Sequence, residues 1–142
     1  MVAGRDRLDG WRAALTDAGL PAGPELVAGG DFTEAGGARA MEELLARVPD
    51  LDGVFAASDP MAVGALRVLR AAGRRVPEDV AVVGFDDAAV AETSDPPLTT
   101  VAQPLTEMTR VMTELLMAQV DQTTEVVETR LCPTWLVHRA SA

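Results

Sequence analysis

The chain has 142 residues and a net charge of −10, with 48% hydrophobic and 24% charged residues. Every basic residue is arginine, and an acidic balance of this size offers phosphate backbones little neutralising charge, so the chain itself is a poor nucleic-acid binder. The hydrophobic content is enough to bury a core, while a single cysteine, Cys132, excludes an internal disulfide and a multi-cysteine metal site; it reads as a small apolar residue in a strand.

Residues 6–18 place Leu8, Trp11, Ala14 or Leu15, and Ala18 at helical spacing, and Gly19 stands where a helix C-cap is expected. Pro21 and Pro24 break this pattern, and Leu26–Ala28 reads as a short strand ending at Gly29-Gly30. Thr33 precedes a second helix with Met41, Leu44, Leu45 and Val48 on its apolar face and Pro49 as its stop. Gly53–Ala57 is the next strand. It runs into Ser58-Asp59-Pro60, a cap, an acid and a proline together at a helix start.

That helix continues to about Ala72 and closes at Gly73. Val80–Phe85 is an uninterrupted apolar strand followed by Asp86-Asp87, as suits a parallel sheet. A short helix, a turn at Pro96-Pro97 and a strand at Thr99–Ala102 follow. Beyond Gln103-Pro104, Leu105, Met108, Met112, Leu115 and Leu116 mark a longer amphipathic helix. Val126–Val137 is strand-like, with Pro133 assigning it an edge or crossing position. Alternating strands and helices predict an α/β fold with a parallel sheet.

Open parallel sheets bind ligands outside the carboxyl ends of their strands. Three such ends carry polar or aromatic residues: Asp31-Phe32, Ser58-Asp59 and Asp86-Asp87, with Arg5 and Arg7 beginning the first helix. Together they suit a small hydroxylated or heterocyclic ligand. Each also has a structural reading: Ser58 and Asp59 as a helix cap and dipole partner, Asp86-Asp87 as another cap, Phe32 as core, and the two arginines as solvated surface. Catalysis has no comparable support. The one histidine, His138, reads as solvated, and no nucleophile elbow, phosphate loop, dinucleotide fingerprint or zinc-protease motif occurs. The reading is a non-enzyme without cofactor or metal. No apolar run approaches membrane-spanning length and no signal peptide is visible.

The segments RLDGWRAAL (7–15), GDFTEAGGARAMEELL (30–45), GVFAASDPMAVGALRVLRAAGRRVPEDVAVVGFDD (53–87) and DPPLTTVAQP (95–104) resemble the C-terminal subdomain of the LacI/GalR family, in order and spacing. The resemblance implies a periplasmic-binding-protein-like (type I) effector domain of two α/β subdomains, preceded by a helix-turn-helix headpiece. A sugar, purine or similar effector binds between the subdomains, in a cytoplasmic, dimeric regulator of operator DNA. On this resemblance residues 1–104 are the C-terminal subdomain without its first strand. Residues 105–125 are a helix that packs on the N-terminal subdomain, and 126–142 are a returning strand and tail. The headpiece and the other cleft wall lie outside this sequence. The expectation is therefore that the chain alone binds effector weakly or not at all and tends to self-associate through the apolar face after Leu105.

By position, Arg7 resembles the arginine that donates to effector hydroxyls or a carboxylate, Phe32 the ring against the effector, and Asp86 the acid that accepts from hydroxyls. Ser58 falls where many members carry asparagine, Asp59 matches the aspartate there, and Gln103 stands at the crossing. The helix from Pro60 resembles a dimerisation element, which assigns Met61, Val63 and Leu66 partly to an interface. Two alternatives remain at this point, a sugar-binding protein of a transporter and a non-functional gene fragment. A third is a free-standing domain that pairs with full-length regulators.

Overall fold

A computed structural model describes residues 2–121 and 129–142. Helix α1 (Val2–Asp17) is followed by a 3₁₀ turn at Pro24–Leu26, α2 (Glu34–Arg47), β1 (Gly53–Phe55), α3 (Asp59–Ala71), β2 (Ala81–Asp86) and α4 (Ala89–Thr93). Strand β3 (Thr99–Ala102), α5 (Leu105–Val120) and β4 (Trp135–Val137) complete the order. The sheet order is β1-β2-β3-β4. Strands β1, β2 and β3 are parallel, with Val54 opposite Val82 and Phe85 opposite Val101; β4 returns antiparallel to β3, with Trp135 opposite Ala102. This is the parallel-dominated α/β sheet that the alternation of elements predicts.

The caps follow from local chemistry. Thr33 Oγ1 accepts from Gly36 N at 2.9 Å and starts α2, while Ser58 caps α3 from Met61 N. Gly19 and Gly73, with φ of 70° and 73°, close α1 and α3 in the left-handed region that glycine reaches without Cβ strain.

The core lies between α2, α3 and one face of the sheet. It is built from Met41, Met61, Leu66, Leu69, Val82 and Leu98 with small residues among them. Small residues let α2 and α3 come very close. A Cβ on Gly64 would be 2.7 Å from Ala38 N and 3.0 Å from Glu34 C, so only glycine fits at that crossing. The alternation along β2 buries Val82 and Gly84 on the core side and leaves Val83 and Phe85 half-buried on the other.

Residues 139–142 finish the sheet by inserting a hydroxyl between strands. Ser141, fully buried, accepts from Thr99 N at 2.8 Å and donates to Val82 O at 2.6 Å, while its own carbonyl accepts from Val82 N. Thr99 Oγ1 donates in turn to Ala142 O.

Several expectations change. Leu26–Ala28 is not a strand: Pro24 opens a 3₁₀ turn through Leu26, and Val27, although extended, has no strand beside it among the described residues. The strand expected over Val126–Val137 shortens to Trp135–Val137, at the sheet edge and beyond Pro133; the part before residue 129 lies outside the described residues. Cys132 precedes that strand in irregular chain and is half-buried. Helix α1 begins at Val2 and buries no residue fully, its Leu8, Trp11 and Leu15 being half-covered.

The apolar positions of α5 divide between two faces. Met108, Val111 and Leu115 turn inward, while Leu105, Met112 and Leu116 stay open to solvent together with Met117 and Val120. No helix of the described residues is long and apolar enough to cross a membrane.

Candidate effector site

At the carboxyl end of the sheet the chain leaves β2 through two residues in the left-handed region, Asp86 (φ 113°) and Asp87 (φ 55°). Non-glycine residues pay for this conformation and keep it where the surroundings fix them. Here the fixing group is Asp59, fully buried at the first turn of α3. Its Oδ2 accepts from Ala88 N at 2.7 Å, directly after the turn, and its Oδ1 accepts from Thr100 Oγ1 at 2.6 Å on β3. Burial pushes the Asp59 carboxyl above its ordinary pKa; the two hydrogen bonds oppose that rise, and the charges of Asp86 and Asp87 add to it.

The turn presents Asp86 to two donors from distant parts of the chain. Arg7 Nη2, from α1, donates to Asp86 Oδ1 at 3.2 Å, and Gln103 Nε2, at the exit of β3, donates to the same oxygen at 2.6 Å. Arg7 also donates through Nη1 to the Ala57 carbonyl at the end of β1. Its guanidinium lies 3.8 Å from the centroid of the Phe85 ring and 5.8 Å from that of Phe32. Asp87 pairs with Arg139 at 2.8 Å, and Arg139 in turn donates to Leu98 O.

Two hollows meet here. A groove of about 900 Å³ between α1 and α5 is lined by Arg7, Trp11, Phe85, Gln103, Met108 and Val111 among others. A recess of about 480 Å³ adjoins it at the start of α5, lined by Asp86, Asp87, Gln103 and Trp135. A third hollow, of about 390 Å³, lies between α1 and α2 against β1, its lining side chains apolar apart from Arg5 and Arg7. The first two combine apolar walls with a few convergent polar groups, the make-up of a small-molecule site. No cluster of His, Cys, Asp and Glu suited to a metal occurs among the described residues.

Of the residues singled out in the sequence, Arg7, Asp86 and Gln103 come together in one hydrogen-bonded group, with Phe32 at its margin. Phe32 has φ of 65° and is half-buried against the core. Its loop is tied by Asp31, which accepts from Thr33 N, Thr33 Oγ1 and Arg39. Ser58 and Asp59 lie beneath the site rather than in it: Ser58 is 2% exposed as a helix cap, and both oxygens of the wholly buried Asp59 are engaged. Of the residues assigned to an interface, Met61 and Leu66 are core, because α3 is covered by α2 on one side and the sheet on the other. Val63 alone of the three keeps partial exposure.

Arg5 is exposed and joins none of the site's hydrogen bonds. Sequence reasoning missed Phe85 and the Ala57 carbonyl. Phe85 reads as strand core until period-2 alternation is applied to β2, which turns it with Val83 toward the groove.

The sequence profile of the periplasmic binding protein-like domain matches residues 2–142. The HTH-type transcriptional regulator CelR of Thermobifida fusca is 57% identical over 136 residues, covering 92% of this chain and 40% of that protein. The HTH-type transcriptional repressor CytR of Escherichia coli K12 is 42% identical over 113 residues, covering 80% of this chain and 33% of that protein. Among solved structures, a complex described as transcriptional regulator CelR with cellobiose superimposes with a TM-score of 0.97 at 53% identity, over 100% of this chain and 43% of that one. The lac repressor dimer bound to operator and the anti-inducer ONPF superimposes with a TM-score of 0.89 at 31% identity, over 99% of this chain and 48% of that one. The chain spans about 40% of the length of CelR.

Proposed function

This chain belongs to the periplasmic binding protein-like domain family, with LacI-type regulators as its relatives, and on that premise we propose that it carries the effector-contacting residues of a sugar-responsive transcription regulator. The observation that supports this best is the Arg7–Asp86–Gln103 group. Both protein donors fall on Asp86 Oδ1, so Oδ2 is left to accept from a ligand hydroxyl. Of the five guanidinium N–H groups of Arg7, two are engaged, leaving donors beside that acceptor. An acceptor and a planar donor side by side match adjacent hydroxyls of a sugar, while Phe85 and Trp11 supply apolar walls for its C–H face.

Cellobiose is the first sugar to test, because the CelR complex contains it. The regulator reading also places the protein in the cytoplasm as a dimer, with operator DNA held by a headpiece outside these residues. It assigns the chain no catalysis, in keeping with relatives that are regulators.

The test is two-dimensional NMR of the labelled chain titrated with cellobiose, with a non-sugar polyol as control. Shifts concentrated at Arg7, Asp86 and Gln103, absent in Asp86→Asn, are expected. No shifts at saturating sugar, or equal shifts in Asp86→Asn, refute the sugar reading.

A further inference from the structure

We propose that Phe85 is a positioning residue for Arg7, its ring face setting the plane of the guanidinium that meets the effector. The inference deepens the function proposed above and rests on it for its ligand.

Arg7 stands on a helix with no fully buried residue, so packing of α1 does little to fix the end of a long, rotamer-rich side chain. Its two hydrogen bonds, from Nη1 to Ala57 O and from Nη2 to Asp86 Oδ1, hold two points of the guanidinium. Two points leave a rotation about the line joining them, and that rotation would swing the remaining N–H groups away from the groove. A flat surface against the guanidinium stops it. Phe85 supplies that surface at 3.8 Å, while Phe32, at 5.8 Å, lies near the outer limit of such a contact.

The ring is itself braced. Phe55 meets it edge-on, with centroids 6.4 Å apart and planes at 74°, and β2 holds its backbone between β1 and β3. The Arg7 side chain is 14% exposed, so little solvent competes for its free donors. An aliphatic side chain at position 85 would fill the space but present no extended planar face.

The experiment has an arm without ligand and an arm with it. In the free chain, stacking over an aromatic face moves the Arg7 Nε–H and Hδ resonances upfield and slows rotation about Nε–Cζ, both read by side-chain NMR with Arg7→Lys as the assignment control. Phe85→Leu is expected to abolish the upfield shift and free the rotation, and Phe85→Tyr to restore both. Cellobiose affinity is expected to fall about tenfold in Phe85→Leu and to recover in Phe85→Tyr. Thermal melts of both variants distinguish a lost contact from a lost fold; if Phe85→Leu fails to fold, Phe85→Met takes its place.

An Arg7 resonance unmoved by Phe85→Leu overturns the proposal, as does affinity unchanged while the stacking is lost. If the parent chain shows the stacking signature, lost in Phe85→Leu, yet binds no sugar, Phe85 is upheld as the positioning residue and the sugar reading alone falls.

Discussion

Gly64→Ala tests the closeness of the α2–α3 seam. A Cβ at position 64 meets Glu34 O first and lies 2.7 Å from Ala38 N, where ordinary contact begins at 3.4 Å, so the helices must part by more than about 0.7 Å. The obstructing atoms, Ala38 N, Glu34 C and Glu34 O, are backbone and have no rotamer to change. Overpacking of this kind costs about 3 kcal/mol, the upper part of its usual range, because opening the seam also loosens Met41 and Ala38 against Met61 and Ala65. Alanine returns about 1 kcal/mol of helix propensity. The net loss is then about 2 kcal/mol, a fall in Tm of roughly 5–10 °C for a chain of this size.

The control is Gly10→Ala in α1, where a Cβ meets nothing within 4 Å; there only the propensity gain operates, and stability rises by about 0.5–1 kcal/mol. Urea unfolding followed by far-ultraviolet circular dichroism measures both. If Gly64→Ala matches the parent within about 0.5 kcal/mol, or if Gly10→Ala is the more damaging, the packing argument is wrong.

Ser141→Ala strands Thr99 N and Val82 O inside the sheet and should cost about 2–3 kcal/mol in the same assay; a loss under about 0.5 kcal/mol would show that other groups satisfy them. The raised pKa of Asp59 has a definite sign. The native carboxyl keeps its proton to higher pH than the unfolded one, so its contribution to stability is present below the unfolded value of 3.8 and is lost as pH rises through the folded value. The stability of the parent relative to Asp59→Asn should therefore decline as pH climbs from 3.8; a constant or rising difference contradicts this. On the exposed face of α5, Leu116→Glu with Met112→Arg should weaken self-association at least tenfold in sedimentation velocity, with unfolding free energy unchanged within about 0.5 kcal/mol. Equal association of parent and double variant would remove that face from the contact.

Much of the fold was legible because its signals are local. Thr33, Ser58, Gly19 and Gly73 mark helix ends through their own side chains or backbone freedom, and the apolar run at Val80–Phe85 has strand length and lies almost wholly in β2. Leu26–Ala28 was misjudged because strand identity depends on a neighbour, and a short apolar run after a proline carries no information about whether one is present. Met61 and Leu66 were assigned partly to an interface through the resemblance of their helix to a dimerisation element, which does not say how many sides of the helix are covered within the chain; α3 is covered on two.

In the site, Asp86 was legible as an acid at a strand end and Arg7 through the family resemblance, although α1 begins at Val2 and places Arg7 within the helix rather than at its start. Phe85 was not legible, since its role appears only when α1 brings Arg7 over a ring 78 positions later in the chain. Asp59 was placed correctly at a helix start, but its second task, holding the turn after β2, depends on long-range contacts with Ala88 and Thr100.

The hydrogen bond from Gln103 to Asp86 has a thermodynamic consequence. It ties the acid proposed to receive the effector to the point where the chain leaves the sheet for α5. A body that docks on α5 and shifts that exit perturbs Asp86, and an occupant of Asp86 biases the exit in return. The free energy of this coupling is one quantity seen from two ends, so the factor by which effector changes docking must equal the factor by which docking changes effector affinity. Removing the amide at position 103 should bring both factors toward one together.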